Sequence, residues 1–464
     1  MRNLDQVIKA YDVRGIYPEQ LDSELCYAIG GAFVSVLKLA ARDGGPGAVV
    51  IGHDMRPSGP ELVSAFANGV MDQGVDVILI GLASTDGLYF ASGKLNLPGA
   101  MFTASHNPAQ YNGIKLCRPG AAPVGQESGL RAIKEMVEED AVPSYDGPQG
   151  VSSDRDMLTE YAKYMRELVD VSAVRQLKVV VDAGNGMGGY TAPAVLEDAA
   201  GLPALPLAIT RMFYELDGTF PNHEANPIDP ANLVDLQAKV IEVGADLGLA
   251  FDGDADRCFV VDERGELVSP STITAIIAKR ELAKSPGAAV INNLITSRAV
   301  PEVILENGGV PVRTRVGHSF IKATMAETNA VFGGEHSGHF YFRDFWRADS
   351  GMLAALHVIA ALGQTAPGTT LSSMLAPFIR YSMSGEINTE VNDQAGVTAA
   401  IKAKYTQLAG VTFDEMDGLT ISADDWWFNV RPSNTEPLLR LNVEAKDPVK
   451  MASLRDELLA KMRE

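Results

Sequence analysis

Cysteine is scarce in this chain of 464 residues. Its three cysteines, Cys26, Cys117 and Cys258, lie far apart, and none belongs to a CxxC pair. A sparse and odd number of cysteines argues against a disulfide scaffold and against a structural zinc site. It is typical of proteins that work in a reducing compartment.

Basic residues and long apolar runs are also in short supply. The 39 lysines and arginines are outnumbered by 59 aspartates and glutamates, which gives a net charge of −20. So acidic a chain repels phosphate backbones and anionic lipid headgroups, although a local basic cluster can still bind an anionic substrate. The N-terminal residues carry charge throughout, unlike a secretory signal. The apolar stretch 352–363 is shorter than the roughly 20 residues of a membrane span. We therefore expect a cytoplasmic protein that binds neither nucleic acid nor membranes.

The composition is otherwise that of a large globular protein. Hydrophobic residues make up 46% of the chain and charged residues 21%, a balance that excludes a disordered chain. At roughly 100–200 residues per domain, the length predicts three or four domains.

Three segments repeat one pattern of short apolar runs, a helical stretch and glycine-containing turns, beginning near Gly47, Leu177 and Ala288. The pattern predicts three similar α/β domains with mixed or parallel sheets. In the first segment, the apolar run AVVIGHD predicts a strand and residues 60–73 predict a helix. From Ser382 the pattern changes to an α+β order of strand, helix (393–409), strands and helix (447–463). The ends of the strands carry polar loops, which we expect to face a central active-site cleft. The predicted domains are 1–151, 152–266, 267–378 and 379–464.

The segment FDGDADR carries three aspartates at alternate positions, Asp252, Asp254 and Asp256. Carboxylates at this density repel one another unless a cation neutralises them, and hard oxygen ligands favour Mg²⁺ or Ca²⁺. An EF-hand is a rival interpretation, because Glu263 falls at position 12. Position 6, however, is Arg257, where the EF-hand turn needs glycine, and the flanking residues are typical of strands. A solvated acidic turn is the other alternative.

The segment TASHNP places Ser105 among small and turn-forming residues, so its hydroxyl is a candidate nucleophile. The segment lacks the GxSxG elbow of the α/β-hydrolases. The adjacent His106 does not by itself make a catalytic triad, because a triad is defined by geometry. An ordinary capped turn is the alternative interpretation.

Two further loops have side chains that suit a phosphorylated polyol. In RPSNTEP, the guanidinium fork of Arg431 and the donors of the following turn suit a phosphate dianion, although an ordinary Asx or ST turn is the alternative. In GEHSGH, Glu335 and Ser337 can hydrogen bond the vicinal hydroxyls of a sugar. The remaining cationic or titratable candidates are Arg14, His318 and Lys322.

These loops, in this order, resemble the motifs of the α-D-phosphohexomutase family over nearly the whole chain. The resemblance implies that Ser105 carries a phosphoryl group. It also implies that Asp252, Asp254 and Asp256 hold one Mg²⁺ per active site, together with an oxygen of the group on Ser105. The catalytic residues it implies are Ser105, His106, Lys115, Arg14 and His318. The substrate-binding residues it implies are Tyr11, Arg257, Glu335, Ser337, His339, Arg431, Ser433, Asn434 and Thr435.

The resemblance further implies an enzyme that interconverts hexose 6-phosphates and hexose 1-phosphates, with a hexose 1,6-bisphosphate as activator. The sequence Glu-x-Ser-Gly-His in the sugar loop is similar to the phosphomannomutase and bifunctional phosphomannomutase/phosphoglucomutase branches. The family also implies a monomer or a weak homodimer.

One segment departs from the family pattern. Some bifunctional members carry a lysine in the region of NNLITSR, and this chain has none there. A phosphoglucosamine mutase and a metal-dependent sugar phosphatase are the enzymatic alternatives. A Ca²⁺- or sugar-phosphate-binding module is the alternative that is not an enzyme.

Overall fold

The computed structural model describes residues 3–433 and 438–463. The chain forms two compact units, one of residues 1–270 with 337–373 and the other of residues 271–336 with 374–464. The chain therefore crosses between the units inside the GEHSGH loop, after His336.

The first unit begins with a mixed sheet of seven strands. Its order is β1-β5-β4-β2-β3-β7, and the short β6 pairs with the end of β5 at Cys117 and Arg118. The four neighbours β4, β2, β3 and β7 are parallel, whereas β5 is antiparallel to β1 and β4. The strands are β1 (Val13–Ile16), β2 (Ala48–His53), β3 (Asp76–Leu82), β4 (Gly99–Phe102), β5 (Tyr111–Arg118), β6 (Ala122–Pro123) and β7 (Ser152–Asp154). The helices are α1 (Ser23–Leu37), α2 (Gly59–Met71), α3 (Thr85–Leu95) and α4 (Leu130–Glu138).

Helix α1 lies in the core of this sheet layer. Its helical segment, extended to 23–43, is one that length and hydropathy alone would allow to cross a membrane. The helix is mostly buried, because α2 packs directly on it: a Cβ on Gly30 would lie 2.3 Å from the carbonyl oxygen of Phe66. The rings of Phe33 and Phe66 are 6.0 Å apart in the same core. Burial in the core thus explains the apolar composition of α1.

The second sheet has the order β12-β11-β10-β8-β9. Strand β8 is parallel to β9 and β10, and β10 turns back into the antiparallel β11 through the FDGDADR loop. Every residue of β10 and β11 is buried. The elements are α5 (Leu158–Leu168), β8 (Leu177–Asp182), α6 (Gly188–Leu196), β9 (Leu207–Met212), α7 (Val234–Val243), β10 (Leu247–Phe251), β11 (Cys258–Asp262) and β12 (Leu267–Val268).

The third α/β segment contributes to both units. In the second unit, the strand after α8 (Pro270–Lys284) is parallel to its two neighbours, as in the first two sheets. These elements are β13 (Ala289–Asn293), α9 (Ala299–Glu306), β14 (Val310–Thr314), α10 (His318–Thr328) and β15 (Phe332–Gly334). The first unit contains the antiparallel pair β16 (Phe340–Phe342) and β17 (Ala348–Asp349), followed by the buried helix α11 (Gly351–Gly363). A short helix, α12 (Leu371–Leu375), follows.

The C-terminal sheet of the second unit is antiparallel throughout, in the order β18-β22-β21-β20-β19. Its core contains residues of β20, β21, β22 and both helices. The elements are β18 (Ser382–Glu390), α13 (Gln394–Tyr405), β19 (Thr412–Asp414), β20 (Leu419–Ser422), β21 (Trp426–Pro432), β22 (Leu438–Ala445) and α14 (Pro448–Arg463). The predicted fold class, three mixed-sheet α/β domains and a C-terminal α+β domain, is confirmed.

Candidate active site

The TASHNP loop follows directly after β4. The backbone N–H of Ser105 donates to Thr103 Oγ1 at 2.9 Å, and the carbonyl of Ala104 accepts from the N–H of Asn107 at 3.0 Å. Ser105 itself has a φ of 48°, in the left-handed region that residues with a Cβ seldom adopt. The loop therefore holds the Ser105 backbone in an unfavourable conformation.

The FDGDADR loop connects two buried strands, β10 and β11. Flanking strands exclude the EF-hand interpretation, since an EF-hand loop joins two helices. A Cβ on Gly253 would lie 2.4 Å from the carbonyl oxygen of Ser105, so only glycine allows the two loops to approach this closely.

The two loops meet at the Ser105 hydroxyl. Ser105 Oγ donates to Asp252 Oδ2 at 2.9 Å, and Arg257 Nη2 lies 3.2 Å from the same hydroxyl oxygen. Arg257 also donates to Asp252 through Nε at 2.8 Å, and both side chains are buried. The structure thus brings together the candidate nucleophile and the acidic loop, from segments 147 residues apart.

The three aspartates of the loop form one buried carboxylate cluster. Asp252, Asp254 and Asp256 each offer an oxygen within 4.8 Å of the others. Asp254 Oδ1 and Asp256 Oδ1 are buried and accept no hydrogen bond from the described residues. Burial raises the pKa of Asp252, and the two neighbouring carboxylates add to the rise against the opposing effect of Arg257. Buried carboxylate oxygens without donors fit a hard divalent cation, so the cluster is suited to hold a metal ion.

Lys115 supplies a positive charge to the same cluster. It lies on β5, and its Nζ donates to Asp254 Oδ2 at 2.7 Å and to Asp256 Oδ2 at 2.6 Å. Burial alone would lower the pKa of the Lys115 ammonium, but the two aspartates outweigh it and raise the pKa well above its usual value. Thr85, at the start of α3, donates a further hydrogen bond to Asp254 Oδ2 at 2.6 Å. The pKa of Asp254 is lowered despite its burial, chiefly because of Lys115.

His106 is held as a neutral imidazole. Burial lowers its pKa well below the usual value, and the positive charges of Arg257 and Arg14 lower it further. Its Nδ1 accepts a hydrogen bond from Arg257 and lies 3.4 Å from Ser105 Oγ. His106 is therefore a hydrogen-bond acceptor in this site rather than a cationic acid.

Arg14 and Tyr11 lie at the start of the first sheet. Arg14, on β1, donates through Nη1 to Asn107 Oδ1 at 2.6 Å, so it contacts the Ser105 loop. It also forms a salt bridge with Asp12 at 2.5 Å. Tyr11 is partly buried in the bend that precedes β1.

The last residues of the GEHSGH loop lie beside the carboxylate cluster of Asp252, Asp254 and Asp256. His339 Nε2 lies 3.5 Å from Asp256 Oδ1 and 3.7 Å from Asp349 Oδ2. Ser337 Oγ is 3.2 Å from His339 Nδ1. His339 also forms a β-bridge with Arg257. The side chains of His339 and Ser337 therefore lie beside the buried carboxylate cluster of the first unit.

The remaining predicted residues lie in the second unit. Glu335 Oε1 accepts from the backbone N–H of Gly317 at 3.1 Å, which joins the GEHSGH and GHSFIK segments. His318 is the first residue of α10, but its side chain lies outside the described part of the chain. Lys322 is buried in the same helix.

The RPSNTEP loop connects β21 to β22. Arg431 donates to Glu386 Oε2 at 3.1 Å and lies 3.7 Å from Asp417 Oδ2, so carboxylates already orient its guanidinium group. The N–H of Ser433 donates to the carbonyl of Leu438 at 2.8 Å across the loop. The predicted residues Asn434 and Thr435 lie outside the described residues.

Sequence reasoning missed three residues at these loops, Thr85, Arg56 and Asp54. Besides Thr85, the buried Arg56 donates to backbone carbonyls of the Ser105 loop, and Asp54 is its ion-pair partner. A signal was present: the two charges directly follow the apolar run of β2, at the carboxyl end of a parallel strand.

A further buried carboxyl group, that of Asp86, lies near the aspartate cluster but outside the FDGDADR loop. Asp86, on α3, accepts hydrogen bonds from Tyr161 at 2.9 Å, from Ser350 at 2.6 Å and from Ser84. Burial raises its pKa from 3.8 to about 7, although these three donors favour the charged form. Asp86 therefore titrates near neutral pH and connects α3, α5 and the start of α11.

Asp86→Asn is expected to flatten the pH dependence of stability. The folded state binds the Asp86 proton more tightly than the unfolded state, so unfolding releases this proton between the unfolded pKa near 3.8 and the folded pKa near 7. Stability from this group is thus present at low pH and is lost as pH rises through that window. Urea unfolding at pH 5 and pH 7.5 measures the effect. If the free energy of unfolding falls equally between pH 5 and pH 7.5 in the wild type and in Asp86→Asn, the prediction is wrong.

The site has the parts that phosphoryl transfer needs. The Ser105 hydroxyl, a candidate nucleophile, contacts a carboxylate cluster suited to a divalent cation, and Arg257 and Lys115 add positive charge beside it. Phosphoryl transfer depends mainly on alignment and on neutralising charge, and little on bond-making groups of the protein. The geometry therefore favours a phosphoryl-transfer enzyme over a simple cation-binding module.

The sequence matches four family models along its length. The phosphoglucomutase/phosphomannomutase alpha/beta/alpha domains I, II and III match residues 5–142, 159–265 and 269–381, and the C-terminal domain matches residues 386–461.

Individual relatives cover nearly the whole chain. A phosphomannomutase of Escherichia coli is 38% identical over 460 residues, which is 98% of each chain. A protein of Xanthomonas campestris pv. campestris described as phosphohexose mutases is 39% identical over 457 residues, again 98% of each. The crystal structure of a phosphoglucomutase/phosphomannomutase family protein from Burkholderia thailandensis has a TM-score of 0.87 at 31% identity. It covers 99% of this chain and 98% of that one.

Proposed function

The chain belongs to the phosphoglucomutase/phosphomannomutase family, and on that premise we propose that it interconverts mannose 6-phosphate and mannose 1-phosphate. Such an enzyme is an isomerase of the intramolecular phosphotransferase class. The observation that carries the proposal is the hydrogen bond from Ser105 Oγ to Asp252, which joins this hydroxyl to the carboxylate cluster. Activity on glucose phosphates is part of the proposal and needs its own measurement.

Ser105 is the residue proposed to carry the phosphoryl group. Transfer breaks the bond between Ser105 Oγ and phosphorus and forms a bond from phosphorus to the free hydroxyl oxygen of the hexose monophosphate. The product is a hexose 1,6-bisphosphate, and the proton of the sugar hydroxyl replaces the phosphoryl group on Ser105. When the other phosphoryl group of this intermediate returns to Ser105, the isomeric monophosphate is released and the phosphoserine is restored.

Four neighbouring side chains have proposed roles in this transfer. Arg257, with Nη2 at 3.2 Å from Ser105 Oγ, stabilises the negative charge that develops on this oxygen when phosphorus leaves. Lys115 balances the carboxylates that face the transferring group. Arg14 contacts the loop through Asn107 and adds positive charge on that side. The neutral His106 accepts the hydrogen bond that orients Arg257.

Mg²⁺ is the proposed metal, with one ion per active site. Asp252, Asp254 and Asp256 would hold it, with an oxygen of the group on Ser105. When bound, the ion neutralises charge on the transferring phosphoryl group. The buried carboxylate oxygens that lack donors among the described residues support this assignment.

The substrate is proposed to be recognised by its hydroxyls and by its second phosphate. Glu335, Ser337 and His339 supply hydrogen-bonding groups for the sugar. Arg431 and the following loop bind the phosphate that is not reacting, whichever end of the sugar carries it. The other residues proposed for binding are Tyr11, Arg257, Ser433, Asn434 and Thr435, whereas His318 is proposed as a catalytic residue.

Arg431→Ala is expected to weaken the binding of both monophosphates by a similar factor, because each presents its distal phosphate to the same guanidinium group. A hydrogen bond to a charged group contributes roughly 1.5–3 kcal/mol, so the loss is about ten- to a hundredfold. Steady-state kinetics in both directions measure this effect.

Arg440→Ala provides a matched control for that experiment. Arg440 lies directly opposite Arg431 in the sheet, and its Nη1 is 3.7 Å from the same Glu386 carboxylate. If Arg440→Ala reproduces the loss, the effect belongs to the Glu386 network and not to phosphate binding. A loss in only one direction would show that Arg431 serves a single binding mode.

The proposed reaction is tested directly with mannose 1-phosphate, Mg²⁺ and a catalytic trace of hexose 1,6-bisphosphate. Formation of mannose 6-phosphate that depends on the bisphosphate supports the mutase. Release of inorganic phosphate instead would identify a phosphatase, and binding without turnover would identify a binding module. Parallel assays with glucose and glucosamine phosphates establish which hexose is preferred.

The proposal places this activity in the cytoplasm, in a monomer or weak homodimer. The three scattered cysteines, none of them in a CxxC pair, support a reducing compartment.

A further inference from the structure

Arg56 donates every N–H of its guanidinium group to the protein. Its Nη1 donates to the carbonyl oxygens of Pro108 at 2.8 Å and Tyr111 at 2.9 Å. Its Nη2 donates to the carbonyl oxygens of Ser105 at 3.0 Å and Asn107 at 2.7 Å. The remaining N–H, on Nε, lies 3.3 Å from an Asp54 carboxylate oxygen. A guanidinium group has five N–H donors, so none is left for a substrate phosphate.

The four carbonyl groups all belong to the segment 105–111, which carries the proposed nucleophile. Ser105 has a φ of 48°, a conformation that costs free energy for a residue with a Cβ and persists only where neighbouring contacts impose it. The bond to the Ser105 carbonyl acts on this residue directly. Arg56 therefore supplies the contacts that can hold the loop in its strained conformation.

The Arg56 side chain is itself rigidly placed. It is 1% exposed, and its partner Asp54 is fully buried. The N–H of Asp54 donates to the carbonyl of Phe102 at 2.9 Å, and Asp54 Oδ1 accepts from the N–H of Arg56 at 2.9 Å. The pair is thus anchored between the ends of β2 and β4. A buried, fully bonded ion pair on two strand ends can hold a loop to within a fraction of an ångström.

Arg56 contacts the loop on its backbone side, whereas the Ser105 hydroxyl contacts Asp252 and Arg257. It is therefore separate from the reacting atoms. We propose that Arg56 is a positioning residue for phosphoryl transfer, which fixes the 105–111 backbone so that the Ser105 hydroxyl meets the carboxylate cluster. This inference rests on the proposed function of Ser105 as the phosphoryl carrier.

The test compares Arg56→Lys, Arg56→Gln and the double variant Asp54→Asn/Arg56→Gln in full-length protein. The double variant removes both buried charges, so it avoids leaving Asp54 without its partner. We expect kcat to fall about ten- to a hundredfold, because a misplacement of about 1 Å can slow a reaction a hundredfold. We expect KM for mannose 1-phosphate to change less than threefold, since Arg56 has no donor for substrate. Arg56→Lys should retain more activity than Arg56→Gln, because an ammonium group keeps some of the hydrogen bonds.

Arg166→Gln is a matched control. Arg166 also donates to three backbone carbonyls, those of Val195, Glu197 and Pro203, but it does so in the second α/β domain. It should lose stability without losing kcat per folded molecule. Amide hydrogen exchange at 103–111 gives a second measurement, and we expect faster exchange there in the Arg56 variants than in Arg166→Gln.

The outcomes separate this inference from the proposed function. If the wild type shows no mutase activity that depends on Ser105, the proposed function fails, and the inference fails with it. If the wild type is active and the folded Arg56 variants keep its kcat, only the inference is overturned. An equal fall of kcat in Arg166→Gln would also overturn it, because general loss of packing would then explain the effect.

Discussion

Ser105→Ala is expected to lower mutase turnover by at least about a thousandfold, which is the scale of effect seen when an enzyme loses its nucleophile. The substitution removes Oγ, the atom of Ser105 that hydrogen bonds to both Asp252 and Arg257. Steady-state assays with mannose 1-phosphate and added bisphosphate measure the loss. Peptide mass spectrometry should find a phosphoryl group on Ser105 in part of the wild-type protein and none at this position in the variant.

The variant should keep its fold and its metal site, since the three aspartates and Lys115 remain. Ser153→Ala is a suitable control, because Ser153 lies on β7 of the same sheet and its hydroxyl is 3.5 Å from the backbone carbonyl of Val77. Turnover within threefold of the wild type in Ser105→Ala would contradict the assignment of the phosphoryl carrier. Addition of hexose 1,6-bisphosphate should reactivate dephosphorylated wild-type enzyme and leave the variant inactive.

The regular elements of the fold could be predicted because their signals are local. The apolar run AVVIGHD became β2, and the helical stretch predicted for 60–73 became α2, Gly59–Met71. In the tail, the predicted helices 393–409 and 447–463 correspond to α13 and α14. Each rests on hydrophobic periodicity and on turn residues within one window of sequence. Only the exact ends differ, because caps and tertiary contacts decide them.

The pairing of the Ser105 loop with the aspartate loop could be anticipated only in outline. Both follow buried strands at the carboxyl edge of a sheet, which is where ligands collect in α/β proteins. The specific contacts could not be predicted, because they depend on chain segments far apart. The partners of Lys115 lie 139 and 141 residues away, and the carbonyl acceptors of Arg56 lie 49 to 55 residues away. No local pattern encodes such contacts.

Arg56 also shows why a residue type does not establish a role. An arginine near a phosphoryl-transfer site is normally expected to bind phosphate. Here every donor is used by Asp54 and by backbone carbonyls, so only the three-dimensional contacts distinguish a positioning residue from a binding one.

Lys115→Met is expected to destabilise the protein strongly when no divalent cation is present. The substitution removes the ammonium group that donates to both Asp254 and Asp256, whose side chains are at most 1% exposed. Removing one partner of a buried ion pair costs about 3–5 kcal/mol, because the remaining charges lose their compensation. Three buried carboxylates would then face one another without the ammonium group that contacts two of them. Urea unfolding in EDTA and in excess Mg²⁺ measures the effect.

Mg²⁺ should restore more stability to Lys115→Met than to the wild type, because a bound cation replaces the missing positive charge and stabilises only the folded state.

Lys239→Met is the control. Lys239 forms an ion pair with Glu242 at 2.6 Å on the surface of α7, where solvent screens the interaction, so its loss should change stability little with or without the ion. If Lys115→Met is as stable as the wild type in EDTA, the aspartates must be protonated or must move apart, and Lys115 does not hold them. An equal Mg²⁺ effect in Lys115→Met and wild type would place the ion away from Asp254 and Asp256. Turnover of Lys115→Met should remain low even in saturating Mg²⁺, since a restored fold does not replace the ammonium group in its proposed role beside the transferring phosphoryl group.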